Sequence, residues 1–166
     1  EKRFESLTLA EGARLAGRVS GDSTVAHAWA YAMALESLAG TEPPPRALWL
    51  RALLLERERI ANHLGDLGHL GNDGGLAFGL AQFSRLKEDM LRLNAKLFGH
   101  RYLMDRVVPG GAAIDLDGHA AEEILEECTR LRAELRRLRA IYYDHAGLQD
   151  RCISCGRLDP STAAEL

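Results

Sequence analysis

The 166-residue sequence predicts an all-α fold, a bundle of about four long helices, and three observations carry that prediction. Apolar residues recur at steps of three and four over long windows, glycine and proline clusters fall between those windows, and no segment reads convincingly as a strand. A helix with one apolar stripe buries it only against another element, so several such helices must pack on one another.

A short helix is expected around Leu9–Ala16. Asp22 or Ser23 is placed to cap the next helix, which runs to Leu38 and stops at Gly40. Pro43, Pro44 and Pro45 end anything before them and set a proline near the first turn of the following helix. That second long helix carries Leu53, Ile60, Leu64 and Leu67 and ends in the Gly71-Asn72-Asp73-Gly74-Gly75 cluster. The third is the clearest: Leu76, Leu80, Phe83, Leu86, Met90, Leu93 and Leu97 form one continuous stripe that stops near Gly99. The fourth, capped by Asp117, shows Ala121, Ile124, Cys128, Leu131, Leu135, Leu138 and Tyr142 at the same alternation. Glutamates crowd its start and arginines its end, an order that suits the helix dipole and sets Glu126 one turn from Arg130. Phe83, Met90, Leu131 and Leu138 are therefore expected in the core.

Composition narrows the function classes. With 46% hydrophobic and 27% charged residues the chain reads as a globular protein, long enough for one domain with a real core. Its 24 acidic and 21 basic residues leave a net charge of −3, so there is no basic footprint for nucleic acid and no polybasic block for an anionic membrane. No apolar run approaches the ~20 residues that span a bilayer. The start at Glu1 is neither an initiator methionine nor a signal peptide. Three cysteines, an odd number, argue against a disulfide scaffold and for a reducing, cytoplasmic setting.

The candidate chemistry begins at Arg18-Val19-Ser20-Gly21-Asp22-Ser23-Thr24-Val25-Ala26-His27. From the residues alone this is a polar loop feeding a helix cap, with a histidine one turn in. Its spacing also resembles the Arg-x-Cys-Gly-x-Cys-x-x-x-His of membrane-bound nickel–iron hydrogenase large subunits, with Arg18, Gly21 and His27 in register and Ser20 and Ser23 at the two cysteine positions. The resemblance continues through Glu58 to Gly68, Gly71-Asn72-Asp73, Phe98 to Arg106 and Pro109-Gly110-Gly111, and covers the chain from about Ala10 to Leu166. In these blocks the sequence is similar to the large subunit of energy-converting, formate hydrogenlyase-type hydrogenases and to the quinone-site catalytic subunit of respiratory complex I.

That resemblance implies one helical domain, residues 1–166, within a larger subunit of an NADH–quinone oxidoreductase-like or hydrogenase-like complex. It implies a small iron–sulfur subunit and membrane subunits as partners, a cytoplasmic location peripheral to the inner face of the membrane, and quinone and NAD binding for the parent assembly. It implies no cofactor in this piece and no catalytic metal. The family's cysteines ligate a bimetallic centre, and a serine hydroxyl is a hard donor where nickel and low-spin iron need thiolates. The remaining two thiolates of such a site come, in the family, from a Cys-x-x-Cys well beyond this region. Arg18, Asp22 and His27 are the candidate cavity residues, Ser20 and Ser23 the degenerate ligand positions. His63, His100, Arg101 and Asp105 are candidates for a proton path or for the neighbourhood of a partner's cluster. Arg18 and Arg101 have an alternative reading as ion-pair partners of carboxylates such as Asp66 or Asp105, and the histidines as packed helix residues.

Two other classes stay open. The parent could be a scaffold that assembles a redox complex without turnover, as the lost cysteines suggest. Alternatively Cys152-Ile153-Ser154-Cys155, a lone CxxC, could mark a metal-binding module. In isolation the chain is expected to form a homo-oligomer through surfaces that otherwise meet partners.

Overall fold

The computed structural model describes residues 2–165. It is predominantly helical: α1 (Leu9–Ala16), α2 (Thr24–Ala39), α3 (Pro45–Asp73), α4 (Ala77–Phe98), α5 (Gly118–Asp144), α6 (Ala146–Cys152) and α7 (Pro160–Glu165). Between α4 and α5 a two-stranded antiparallel hairpin, β1 (Val107–Val108) and β2 (Gly111–Ala112), turns through Pro109-Gly110. The expected absence of strands is corrected at this one point, where each strand is too short to leave a periodic signal. Gly110 takes φ 81° there, a conformation that glycine adopts without steric cost.

Local sequence explains most boundaries. Thr8 and Glu11 form a reciprocal capping box on α1. Gly40, at φ 62°, ends α2 as a left-handed cap, and Pro45 opens α3. Asp117 caps α5 by accepting from the Ala120 N–H at 2.8 Å. The expected Asp22 or Ser23 cap on α2 is corrected: Ser23 occupies the cap position but makes no side-chain bond to the helix. The free N–H groups of Val25 and Ala26 instead donate to the Glu58 carboxylate of α3, at 2.6 and 3.0 Å.

Two apolar clusters hold the helices together. One gathers Val25, Ala28, Ala32, Leu54, Phe98, Leu103, Val107 and Ile124 around the hairpin end. The other gathers Ala61, Leu64, Phe83, Leu86, Met90, Leu91, Leu131 and Leu138 along α3, α4 and α5. Phe83, Met90, Leu131 and Leu138 are all buried, as the periodicity predicts. Beyond Met90 the buried positions of α4 are Leu91, Asn94 and Phe98, while the expected Leu93 and Leu97 are half-buried, Leu97 packed against the hairpin-end cluster.

The α3 stripe needs a larger correction. Its inward positions are Leu50, Arg51, Leu54, Arg57, Glu58, Ala61, Leu64, Gly68 and Gly71, whereas Leu67 is 37% exposed. Arg51 is fully buried and binds Glu36 of α2 through two nitrogens, at 2.5 and 3.1 Å. It also donates to the carbonyls of Val108 and Gly111, while Glu36 accepts from the Gly110 N–H at 2.7 Å. One buried ion pair thereby ties the hairpin to two helices. Arg57 donates to Asn94 at 2.5 Å and to Glu127 at 2.8 Å, linking α3, α4 and α5. Its Nη2 remains without a partner among the described residues.

Candidate functional site

The loop of residues 18–23 leads into α2 and is pinned at three points. Arg18 donates through both terminal nitrogens to the Asp105 carboxylate, at 2.8 and 2.7 Å. Asn62, one turn beyond Glu58 on α3, donates to the Asp22 carbonyl at 2.6 Å. Glu58 itself holds the first turn of α2. The loop's own hydroxyls turn inward: Ser20 donates to Asp22 Oδ1 at 2.6 Å and Ser23 to the same oxygen at 3.4 Å.

These contacts set the electrostatics. The Ser20 hydroxyl holds the Asp22 carboxyl below the ordinary aspartate range, and the Arg18 guanidinium does the same for Asp105. Glu58 moves the other way, because burial raises its pKa more than its two backbone bonds lower it. Glu88, between Arg101 and Arg92, is held at about 2.

Behind the loop lies a cavity of about 220 Å³, bounded by Gly21, Asp22 and Thr24, by Glu58 and Asn62 of α3, by Lys87 and Asn94 of α4, and by Arg101 and Tyr102. The turn that carries the last two is strained. Leu103 and Asp105 sit at φ 59° and 61°, where residues with a side chain are uncommon. Burial of Leu103, the Arg18–Asp105 pair and a pair of bonds from the Tyr102 and Met104 N–H groups to His100 Nδ1 hold it there.

Asp22 and Arg101 thus border one cavity, and Arg18 with Asp105 braces its edge. Arg101 is paired with Glu88 at 2.8 Å. Ser20, Ser23, His27, His63 and His100 are not among the lining residues. His27 lies half-buried in the first turn of α2, His63 is exposed on α3, and His100 organises its own turn. The expected Glu126–Arg130 pair does not form. Glu58, Asn62, Lys87, Asn94 and Tyr102 are the site residues that sequence reasoning missed. The available signal was Glu58, a carboxylate spaced seven from Arg51 and three from Ala61, on the line that also carries Leu54 and Gly68.

The residues do not fit a nickel–iron centre. Both serine hydroxyls are committed to Asp22, and a hydroxyl is a hard donor where nickel and low-spin iron take thiolates. Cys152 and Cys155 are exposed free thiols at the end of α6.

By sequence the chain is related to subunits of hydrogenases and of NADH-quinone oxidoreductases. Formate hydrogenlyase subunit 5 of Escherichia coli K12 is 31% identical over 151 residues, 91% of this chain and 26% of that protein. An NADH-quinone oxidoreductase subunit of Saccharopolyspora erythraea is 35% identical over 126 residues, 76% of this chain and 28% of that protein. Hydrogenase-4 component G of E. coli is 30% identical over 152 residues, 92% of this chain and 27% of that protein. A chain of the membrane-bound sulfane sulfur reductase, an archaeal respiratory membrane complex, shares the fold at a TM-score of 0.85 and 23% identity, over 91% of this chain and 41% of that one. The chain spans between 26% and 41% of the length of the first curated relatives it matches. No protein-family profile matches it.

Proposed function

We propose that the chain is the helical core of a hydrogenase-like or complex I-like large subunit that transfers electrons without nickel, with the 18–27 segment bordering a cavity for a small organic or protonic substrate. The observation that carries this reading is the loop itself. Its spacing resembles that of a ligand loop, yet its two serines bind Asp22 and its rear face borders a cavity that Asp22, Glu58, Lys87 and Arg101 help to line. Asp22, Glu58, Lys87 and Arg101 are charges suited to orienting a quinone-like headgroup or holding a proton at its oxygen. Electrons arrive from a small iron–sulfur partner seated beside the Pro109-Gly110 turn, and NAD binding belongs to the assembled complex. No helix among the described residues is long and apolar enough to cross a membrane. Attachment at the membrane through partner subunits is the part of this reading that the resemblance implies.

The test is made in the whole complex. Arg18→Ala and His27→Ala are expected to lower electron transfer to the acceptor while the complex still assembles. If assembly fails, or if turnover is unchanged, the loop is structural and the scaffold reading takes its place. Stoichiometric nickel in the purified complex overturns the reading outright. Away from its partners the chain self-associates through Leu38 and Trp49, which are 85% and 77% exposed near the α2–α3 junction, and Trp49→Glu restores a monomer in sedimentation.

A further inference from the structure

The seam between α3 and α5 carries a different kind of site. Two open cavities, of about 570 and 360 Å³, run along it and share Leu135 and Arg139, so they form one continuous trough. Leu67, Leu70, Leu135 and Tyr142 make its floor. Leu67 and Leu70 are adjacent on one helix face and are 37% and 49% exposed, an arrangement that costs free energy while water covers it. Along α5 the trough extends from Cys128 to Tyr143, about 22 Å at 1.5 Å per residue.

Its rim is positive. Arg132, Arg136 and Arg139 step by four and three along α5 and all line the trough. Most arginines elsewhere have carboxylate partners: Arg18, Arg51, Arg57, Arg85 and Arg101 are each in an ion pair. Arg132 and Arg136 have none among the described residues, and Arg139 sits over the Tyr143 ring at 5.3 Å. No α5 carboxylate is ion-paired with these three arginines among the described residues: Glu127 is buried against Arg57, Glu123 takes Lys96, Glu134 takes Arg85 and Arg137, and Glu122, Glu126 and Asp144 stand in no ion pair. On the α3 side His63 and Asp66 are exposed.

We propose that this trough docks an amphipathic helix of a partner protein whose apolar stripe is flanked by acidic residues. A helix about 10 Å across can lie along this open trough and set apolar anchors from successive turns on its floor. Glutamates beside that stripe would meet the three guanidiniums that the chain itself leaves unneutralised, so charge sets the partner and the apolar floor supplies affinity. The proposal is independent of the redox reading, since the trough shares no lining residue with the loop cavity.

The test titrates the purified protein with a fluorescent synthetic 18-residue helical peptide bearing leucines at i, i+4, i+7 and i+11 and glutamates beside them. A control peptide carries lysines at the glutamate positions. The glutamate peptide is expected to bind about tenfold more tightly, from three pairs of modest strength, and to weaken as salt rises. Arg132→Glu, Arg136→Glu and Arg139→Glu together should invert the preference, with circular dichroism confirming an unchanged helix content. Leu70→Asp should weaken both peptides. Equal affinity for the two peptides, or a preference that survives the charge reversal, overturns the proposal. A dimer of the free protein that the three arginine reversals disperse makes a second copy the occupant and also overturns it. So does a preference for phosphatidylserine vesicles over the glutamate peptide.

Discussion

The two ends of the helical assembly are held by different means. Where α4 meets α5 and the second half of α3, the interior is Leu64, Phe83, Leu86, Met90, Leu131 and Leu138, a conventional apolar seam. Where α2 meets the first half of α3 and the hairpin, charged side chains are threaded through the apolar cluster. Arg51–Glu36 and the Glu58 cap are buried there, and Arg57–Glu127, which joins α3 to α5 over the Phe98 ring, is buried beside them. An apolar seam tolerates repacking, since nearby side chains of similar volume can substitute for one another. A buried ion pair does not, because losing one partner strands the other without water. The loop and its cavity sit at the charged end, where positions are fixed by directional bonds.

Variants can break this contrast. Arg51→Ala is expected to have the largest effect, about 3–5 kcal/mol of lost stability in urea denaturation, because Glu36 and two carbonyls are left unpaired inside the protein. Arg51→Met with Glu36→Gln should recover a good part of it, whereas Arg51→Met alone, which restores the volume but strands the Glu36 charge, should not. At the apolar end, Met90→Ala should cost about 2–5 kcal/mol with the size set by how far the seam collapses. A double Arg51→Ala, Met90→Ala variant sharpens the comparison, and additive losses would show that the two ends are energetically separate.

Glu58→Gln follows, at about 1–2 kcal/mol, since an amide oxygen accepts from the α2 N–H groups more weakly than a carboxylate. Hydrogen exchange at Val25 and Ala26 should speed up in this variant before exchange elsewhere changes. The smallest effect is at the surface. The Glu88 carboxyl, held at about 2 by Arg101 and Arg92, contributes stability that is complete above the ordinary glutamate value of 4.5 and is lost as pH falls toward 2. Arg101→Ala should lower the neutral-pH midpoint slightly, flatten the profile below pH 4.5, and bring the two proteins together as pH falls toward 2.

The same contrast decides what was legible in the sequence. α4 and α5 announce themselves because their inward positions are apolar and regularly spaced, up to Leu91 on α4 and except on α5 for Glu127, which turns inward in place of the expected Cys128. The bounds of α1 and the glycine stop of α2 follow from local rules that tertiary structure does not override. The inward face of α3 is hidden because Arg51, Arg57 and Glu58 look like solvent-facing residues until their partners, 15 to 70 residues away, are known. Leu67 misleads for the converse reason: an apolar residue at a plausible inward spacing lies on the trough side. At the site, Arg18 and Asp105 both stand out in the sequence, yet 87 residues separate them and only the fold reveals the bidentate bond. The cap from Glu58 has no sequence rule to find it, since capping rules look for a partner within a few residues.

One contact at the apolar end constrains how this sequence can drift. The Tyr142 ring meets Phe83 edge-on at 5.4 Å, and its hydroxyl donates to the Leu67 carbonyl at 2.7 Å. A methyl group added to Gly71 or to Gly79 would overlap that hydroxyl. Three positions on α3, α4 and α5 are therefore one evolutionary character. Alanine at either glycine is opposed while the tyrosine stays. Replacing the tyrosine with phenylalanine removes the oxygen and eases Gly71, where the nearest ring carbon lies 3.1 Å from the added methyl, but at Gly79 ring carbons remain at 2.8 and 2.9 Å. A history through phenylalanine therefore opens the way at Gly71 only, and alanine at Gly79 waits until the ring itself is replaced.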